Sequence, residues 1–294
     1  MRPRLPVTTI GGYLGAGKTT LINHMLRHAN GQRLAILVNE FGALSIDEDL
    51  IEAKGDNVIS IAGGCICCSF GDNLIGTLTE LAQVDPPADH ILIEASGVAI
   101  PQSIAASISL VLDFQLNGVV VLADADTVRQ HAVDKYMGDT ILRQIQGADL
   151  VVMTKTDLVP DQVARDVADW LQSIAGHSNI VKASHGKLPN EILLGPKENM
   201  NEPQKSDHSD ADFESILLKP APQMDVRSYA KSLAQGGFGL VRAKGFVQDR
   251  SGAMHLIQIV GTRFEVTRAS DQKSTGLICI ALAGQMDREG LGAT

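Results

Sequence analysis

Long hydrophobic runs, a positive charge balance and a disulfide-grade supply of cysteine are all missing from this chain. No apolar stretch among its 294 residues reaches the length of a membrane-spanning helix, so no helical span is expected. Met1–Leu5 carries two arginines but no apolar core follows them, so no secretory leader is expected at that position. Acidic side chains outnumber basic ones, 34 to 25, for a net charge of −9. That balance argues against nucleic acid as the main partner, because phosphate binding wants a basic surface. Four cysteines, three of them within four consecutive residues, do not make a disulfide framework. These absences together point to a cytoplasmic protein without nucleic-acid or membrane partners. No internal repeat is present. The length suffices for two modest domains.

The first half alternates short apolar strands with amphipathic helices. Strands are expected at Val7–Ile10, Leu34–Val38, His90–Ile93, Val119–Leu122 and Leu150–Met153. They are β-branched and almost wholly apolar, as strands of a parallel sheet covered on both faces are. Helices are expected over Thr19–Arg27, with Leu21, Ile22, Met25 and Leu26 on one stripe, and over Asp161–Ala175 behind Pro160. The fold class is therefore α/β: a three-layer P-loop nucleotide-binding domain over residues 5–194, with a mostly parallel sheet. Residues 195–212 are polar and helix-breaking and read as a linker. Residues 213–285 read as a smaller C-terminal α+β domain. Its expected elements are strands at Phe213–Leu218, Gly239–Val247, Met254–Val260, Phe264–Arg268 and Leu277–Leu282 and a helix at Val226–Ala234. The tail from Met286 is expected to fray.

Sheets of this kind bind ligands beyond the carboxyl ends of their strands. Polar residues collect there: the first strand runs into a glycine loop, the second into Asn39-Glu40, the third into Glu94, the fourth into Asp124 and the fifth into Thr154-Lys155-Thr156-Asp157. The loop Gly12-Tyr13-Leu14-Gly15-Ala16-Gly17-Lys18-Thr19 matches G-x-x-x-x-G-K-[ST] between a strand and a helix. Gly12, Gly15, Ala16 and Gly17 would wrap phosphates with backbone N–H groups, and Thr20 continues the helix whose positive end faces the anion. Lys18 would place its cation on the β- and γ-phosphates, and the Thr19 hydroxyl would ligate Mg²⁺. Glu94 would hold the Mg²⁺ through water or position the attacking water, and Gly97 would let backbone approach the γ-phosphate. Thr154, Lys155 and Asp157 resemble the [N/T]-K-x-D guanine-reading motif. A carboxylate accepts from guanine N1–H and N2–H₂ but meets an acceptor on adenine, so GTP is the expected nucleotide. Lys155 would lay its methylenes along the base. Val181-Lys182-Ala183-Ser184 is a weaker candidate for a further base-contacting loop.

Cys65-Ile66-Cys67-Cys68 carries three thiols between Gly63-Gly64 and Ser69. Thiolates suit Zn²⁺ or Cu(I), and Co²⁺ in tetrahedral sulfur-rich sites. Three thiolates leave a tetrahedral ion one ligand short, a place open to water or to a carboxylate such as Glu40. Read alone, the cluster also fits buried small hydrophobes, a redox pair or a structural zinc site.

Taken together, Gly11–Thr20, Val38–Gly42, Gly63–Cys68, Glu94–Pro101, Thr154–Asp157 and Leu240–Val247 resemble the CobW family. These are metal-associated GTPases related to the hydrogenase and urease nickel-insertion GTPases. The resemblance covers nearly the whole chain. It implies a GTPase that holds a divalent metal, zinc in the chaperone members, at Cys65, Cys67 and Cys68 and delivers it to a client metalloprotein. It also implies that Asn39–Gly42 forms a switch segment between nucleotide and cysteines. Two other readings stay open: cobalt insertion in cobalamin synthesis, and a regulatory GTP-binding module with structural zinc. A small-molecule P-loop kinase is disfavoured by Asp157. The oligomeric state is left open. The linker offers only His208 among Asp207, Ser209 and Asp210, so no histidine-rich metal store is expected.

Outside these motifs, His24 and His28 lie one helical turn apart and read as surface or core-edge residues rather than ligands. Asp124 and Asp126 read as caps or supporting groups. Arg242 and Lys244 are expected on a solvated sheet face. Cys279, in an apolar run, reads as core.

Overall fold

The computed structural model describes residues 4–39, 58–63, 72–176, 179–196, 213–223, 225–269 and 275–292. Glu40, Cys65, Cys67, Cys68 and most of the expected linker lie outside them. The chain divides into two compact units, Met1–Leu188 and Pro189–Thr294.

In the first unit, β1 (Leu5–Gly12), β2 (Leu34–Asn39), β3 (Val58–Gly63), β4 (His90–Glu94), β5 (Phe114–Asp124), β6 (Leu150–Thr154) and β7 (Asn179–Ala183) form one sheet. Its order is β3-β2-β4-β1-β5-β6-β7, and every pairing is parallel. The five expected strands are all present, at the centre of the sheet. The two that sequence patterning missed, β3 and β7, are its edges. The segment from Val181, read as a loop, is strand as far as Ala183. An edge strand is covered less completely, and in β7 Lys182 is exposed between buried Val181 and Ala183. The apolar run that identifies a central strand is therefore broken.

The helices are α1 (Lys18–Arg27), α2 (Asp72–Ala82), α3 (Pro101–Ile108), α4 (Val128–Ala132), α5 (Gly138–Gln146) and α6 (Asp161–Ala175). Successive strand residues point to opposite faces. Val7, Leu37, Ile93, Val121 and Met153 join a core with Leu78 of α2, Ile104 of α3, Ile141 and Ile145 of α5, and Val167 and Leu171 of α6. Trp170 packs against that core from α6. The alternate residues Ile36, Leu92, Val120, Leu122 and Val152 turn to the other face and are equally buried. On α1, Leu21, Ile22, Met25 and Leu26 are the buried stripe the sequence predicts.

The second unit begins with α7 (Asn190–Leu194) and continues with β8 (Phe213–Leu218), α8 (Val226–Gln235), β9 (Leu240–Gln248), β10 (Met254–Val260), β11 (Arg263–Ala269) and β12 (Gly276–Leu282). The strands form an antiparallel sheet in the order β11-β10-β9-β12-β8. Asp225 caps α8, accepting from Arg227 N at 2.9 Å and Ser228 N at 3.1 Å. Ala230 and Leu233 of α8 pack on Ala243, Val247, Ile257 and Cys279.

Two expectations are corrected here. Arg242 is not on a solvated face: it is 1% exposed, with the Gly195 backbone against its guanidinium. The tail from Met286 does not fray. Glu214 accepts from Gly284 N and Met286 N and forms a two-nitrogen ion pair with Arg288, while Met286 and Leu291 pack on the core. Cys279 is buried as expected, and its thiol is pushed up to about 12 by that burial.

Candidate nucleotide site

The carboxyl ends of β1, β4, β5 and β6 form one rim, and the expected nucleotide residues of the first unit lie on it. The loop leaving β1 folds back on itself, with Ala16 N bonded to Tyr13 O at 3.1 Å. Gly17 caps α1 at φ 93°, a conformation natural to glycine. Lys18 is buried and donates from Nζ to Gly12 O at 3.0 Å and to Tyr13 O at 3.5 Å. Its cation is thus folded over the loop rather than extended into solvent. Gly15, at φ 76°, is exposed at the tip of the loop, where a side chain would meet nothing within 4 Å. A glycine-rich loop with a lysine cation at the start of a helix fits a polyphosphate.

Glu94 ends β4 buried, and Thr19 Oγ1 donates to its Oε1 at 3.5 Å. A hydroxyl and a carboxylate side by side, both oxygen donors, suit Mg²⁺. After Glu94 the chain passes close to the phosphate loop. A Cβ on Gly97 would lie 2.8 Å from Leu14 N, so only glycine allows that approach. Gln144 of α5 holds the far side of this passage. It is 1% exposed, and its Nε2 donates to Gly97 O at 3.1 Å and to Ala99 O at 2.6 Å. Sequence reasoning missed Gln144. The available signal was an amide on the buried stripe of a helix, between Ile141 and Ile145.

The segment expected to read the base follows β6. Thr154 Oγ1 donates to Ala16 O at 2.8 Å, tying this strand end to the phosphate loop. Lys155 has φ 54°, and its Nζ pairs with Asp124 Oδ2 at 2.7 Å. Asp124, at the end of β5, also accepts from Asp126 N at 3.0 Å. It therefore acts as the support the sequence suggested. Asp157 lies in the 3₁₀ turn Thr156–Leu158. Its Oδ1 accepts from Ser184 Oγ at 2.8 Å, and its Oδ2 is 3.5 Å from His185 Nε2. The Ser184 hydroxyl foremost, and His185 in lesser part, hold this carboxyl below the ordinary carboxylate range. It is an anion at neutral pH, as guanine reading requires. The weak expectation of a base loop at Ser184 thus coincides with a direct contact to Asp157; His185 was not foreseen.

Among the described residues no three His, Cys, Asp or Glu side chains gather as a metal site. His24 and His28 stack with centroids 4.2 Å apart, and His28 Nδ1 bonds His24 O at 2.8 Å, so one ring nitrogen is committed to the helix backbone. The C-x-C-C residues and Glu40 are outside the described residues. The strands that lead to them are described: Asn39 of β2 and Gly63 of β3 are register partners, one residue before Glu40 and two before Cys65. No described helix is long and apolar enough to cross a membrane.

Comparison with known proteins places the chain in a family. The family model described as CobW/HypB/UreG, nucleotide-binding domain, matches residues 6–182. A protein of Pseudomonas aeruginosa named zinc chaperone CobW is 30% identical, over 94% of this chain and 87% of its own. A zinc chaperone CobW from a Sinorhizobium species is 29% identical, over 95% of this chain and 93% of its own. The crystal structure of Zn(II)-bound YjiA GTPase from E. coli aligns over 99% of this chain and 98% of that one, at 24% identity and a TM-score of 0.49. With more than half its length matched by the family model, and a 30% identical relative matched over 94% of it, the chain belongs to the CobW/HypB/UreG family of GTP-binding P-loop proteins.

Proposed function

We propose that this protein is a GTP-hydrolysing metallochaperone of the cytoplasm. It takes up a divalent metal, zinc, at Cys65, Cys67 and Cys68, with Glu40 as a further ligand, and passes it to a client metalloprotein. The observation that carries this reading is the pairing of Asn39 with Gly63 on the rim that bears the phosphate loop. The segments bearing Glu40 and the cysteines depart from adjacent strand ends, and Val38 is in turn paired with Glu94. Nucleotide and cargo ligands would then share one edge of one sheet. The naming of two full-length relatives as zinc chaperones supports the choice of metal.

The chain's own groups account for the nucleotide half of the work. Asp157 selects the base, with Lys155 held beside it by Asp124. Lys18 exchanges the carbonyls of Gly12 and Tyr13 for phosphate oxygens, trading one set of charge-assisted bonds for a stronger one. Thr19 and Glu94 would hold Mg²⁺, which when bound neutralises charge on the phosphates. Gly97 presents backbone at the γ-phosphate, and Gln144 fixes where that backbone lies. Loss of the γ-phosphate would release this passage and the adjoining end of β2, loosening the cysteine site.

The test is zinc competition against a chromophoric chelator, with Mg²⁺-GTP, with Mg²⁺-GDP and without nucleotide, for wild type and Cys67→Ser. Coupling predicts a zinc affinity that changes with nucleotide and falls in the variant without loss of melting temperature. Identical zinc affinity in all three nucleotide states would sink the chaperone reading. A Cys67→Ser protein that melts far earlier would favour structural zinc instead.

A further inference from the structure

Two histidines of α1 have a place in neither half of the proposed work. Spacing alone gives no reason to take His24 and His28 for ligands; their geometry does. Both are half-buried on one face of the helix, with ring centroids 4.2 Å apart and planes tilted by 35°. His28 Nδ1 lies 2.8 Å from His24 O. A carbonyl oxygen has no hydrogen to give, so Nδ1 carries the hydrogen and Nε2 the lone pair of the neutral ring. A metal-bound histidine is held in this way, its other nitrogen donating to a backbone carbonyl. The same carbonyl accepts from His28 N at 3.2 Å, so ring and helix end are fixed to one oxygen. Two imidazoles on one tetrahedral zinc hold their centroids about 5 Å apart. A separation of 4.2 Å is a small side-chain rotation away from that. The pair also lies at the carboxyl end of α1, where the helix dipole favours a cation.

We propose that His24 and His28 form a second divalent-metal site, one that takes Zn²⁺ through the two imidazoles and is separate from the cysteines. The ten residues of α1 put His28 roughly 15 Å from the phosphate loop. The chain re-enters the sheet soon afterwards, at Leu34, so the pair lies toward the amino ends of the strands. The segment bearing the cysteines leaves from the carboxyl end of β3, on the opposite rim. Imidazole suits zinc, whereas Mg²⁺ prefers oxygen, so the ion of the nucleotide would not occupy this place. Among the described residues no third His, Cys, Asp or Glu joins the pair. Water completes the shell, which makes the ion exchangeable rather than structural. The proposal stands whether or not the cysteines carry the cargo.

The experiment is calorimetric titration with Zn²⁺ of a protein carrying Cys65→Ser, Cys67→Ser and Cys68→Ser, with and without His24→Gln or His28→Gln. Glutamine suits a helix and removes the imidazole; equal melting temperatures check the fold. The cysteine-free protein is expected to bind zinc still. Either histidine substitution should weaken that binding about tenfold or more, at least what the loss of a ligand's supporting partner costs. Zinc binding that vanishes with the cysteines alone overturns the proposal and leaves the cysteine reading standing. Binding that survives both histidine substitutions puts the ion elsewhere and overturns it too. The cysteine reading fails by a different sign: wild type would bind zinc no more tightly than the cysteine-free protein. If a histidine variant melts early, ring ¹⁵N spectra of the cysteine-free protein decide instead. Zn²⁺ should shift His24 and His28 among the chain's eight histidines; shifts confined to other rings overturn the assignment.

Discussion

Single side chains join the separate loops of the nucleotide site, and Thr154 is the clearest of them. The guanine motif admits Asn or Thr at this position. Here Thr154 is 4% exposed, and its hydroxyl reaches back to Ala16 O and links the end of β6 to the phosphate loop. Thr154→Val keeps the shape and removes the donor. Leaving a buried carbonyl without that partner costs about 1–3 kcal/mol. For a unit of this size the melting temperature should fall by roughly 2–10 °C, with GTP affinity falling alongside. An unchanged melting curve would show that Ala16 O finds another donor. Thr154, Lys155 and Asp157 were legible in the sequence because their spacing after an apolar strand is a local pattern. The partners Gln144 and His185 were not. One is an amide on a buried helix stripe 47 residues from the carbonyl it serves, and the other gains its meaning only from a turn that brings it to Asp157.

At the scale of elements, the central strands announced themselves and the edge strands did not. β1, β2, β4, β5 and β6 are covered on both faces and so are mostly apolar, whereas β7 alternates and was taken for a loop. The helices α1 and α6 were legible to within a residue because each has one apolar stripe and a clear start. The passage from β4 to α3 is where elements meet most tightly. Gly97 is pressed on the phosphate loop from one side and held by Gln144 from the other. Gly97→Ala sets a methyl against the backbone of Leu14, which cannot move without moving the loop. It should lower GTP affinity strongly while leaving the second unit intact. Gln144→Leu releases the same passage without a clash, so it should slow hydrolysis more than it weakens binding. Steady-state kinetics in which both variants change KM alone would refute this division of roles.

For the whole molecule, pH should act on the second unit from both sides. Cys279 and Tyr229 are raised to about 12, in each case by burial foremost. Both hold protons that the unfolded chain gives up sooner, so their contribution is complete below the ordinary thiol value of 9.0 and is lost as pH climbs toward 12. Glu214, lowered by the Arg288 guanidinium, and Asp249, lowered by the Ser251 hydroxyl and then His255, behave oppositely. Their contribution is present above the ordinary carboxylate range and fades as pH falls through it. Circular dichroism melts should therefore show a plateau at neutral pH with losses on both flanks. Cys279→Ala should melt lower at neutral pH but decline less steeply in alkali; an unaltered alkaline slope would remove the thiol from the account.

Trp170, resting on the core of the first unit, is the chain's single tryptophan. Its emission is consequently a private optical channel for the nucleotide-binding half, to which the other half contributes no indole. Unfolding followed at once by emission and by backbone ellipticity would resolve whether the halves melt as one cooperative body or in two steps, with the chain left uncut. Repeated with nucleotide and with zinc, the same pair of signals would register which half each ligand stabilises, and so whether the energy of GTP binding stays where the nucleotide sits or spreads along the polypeptide.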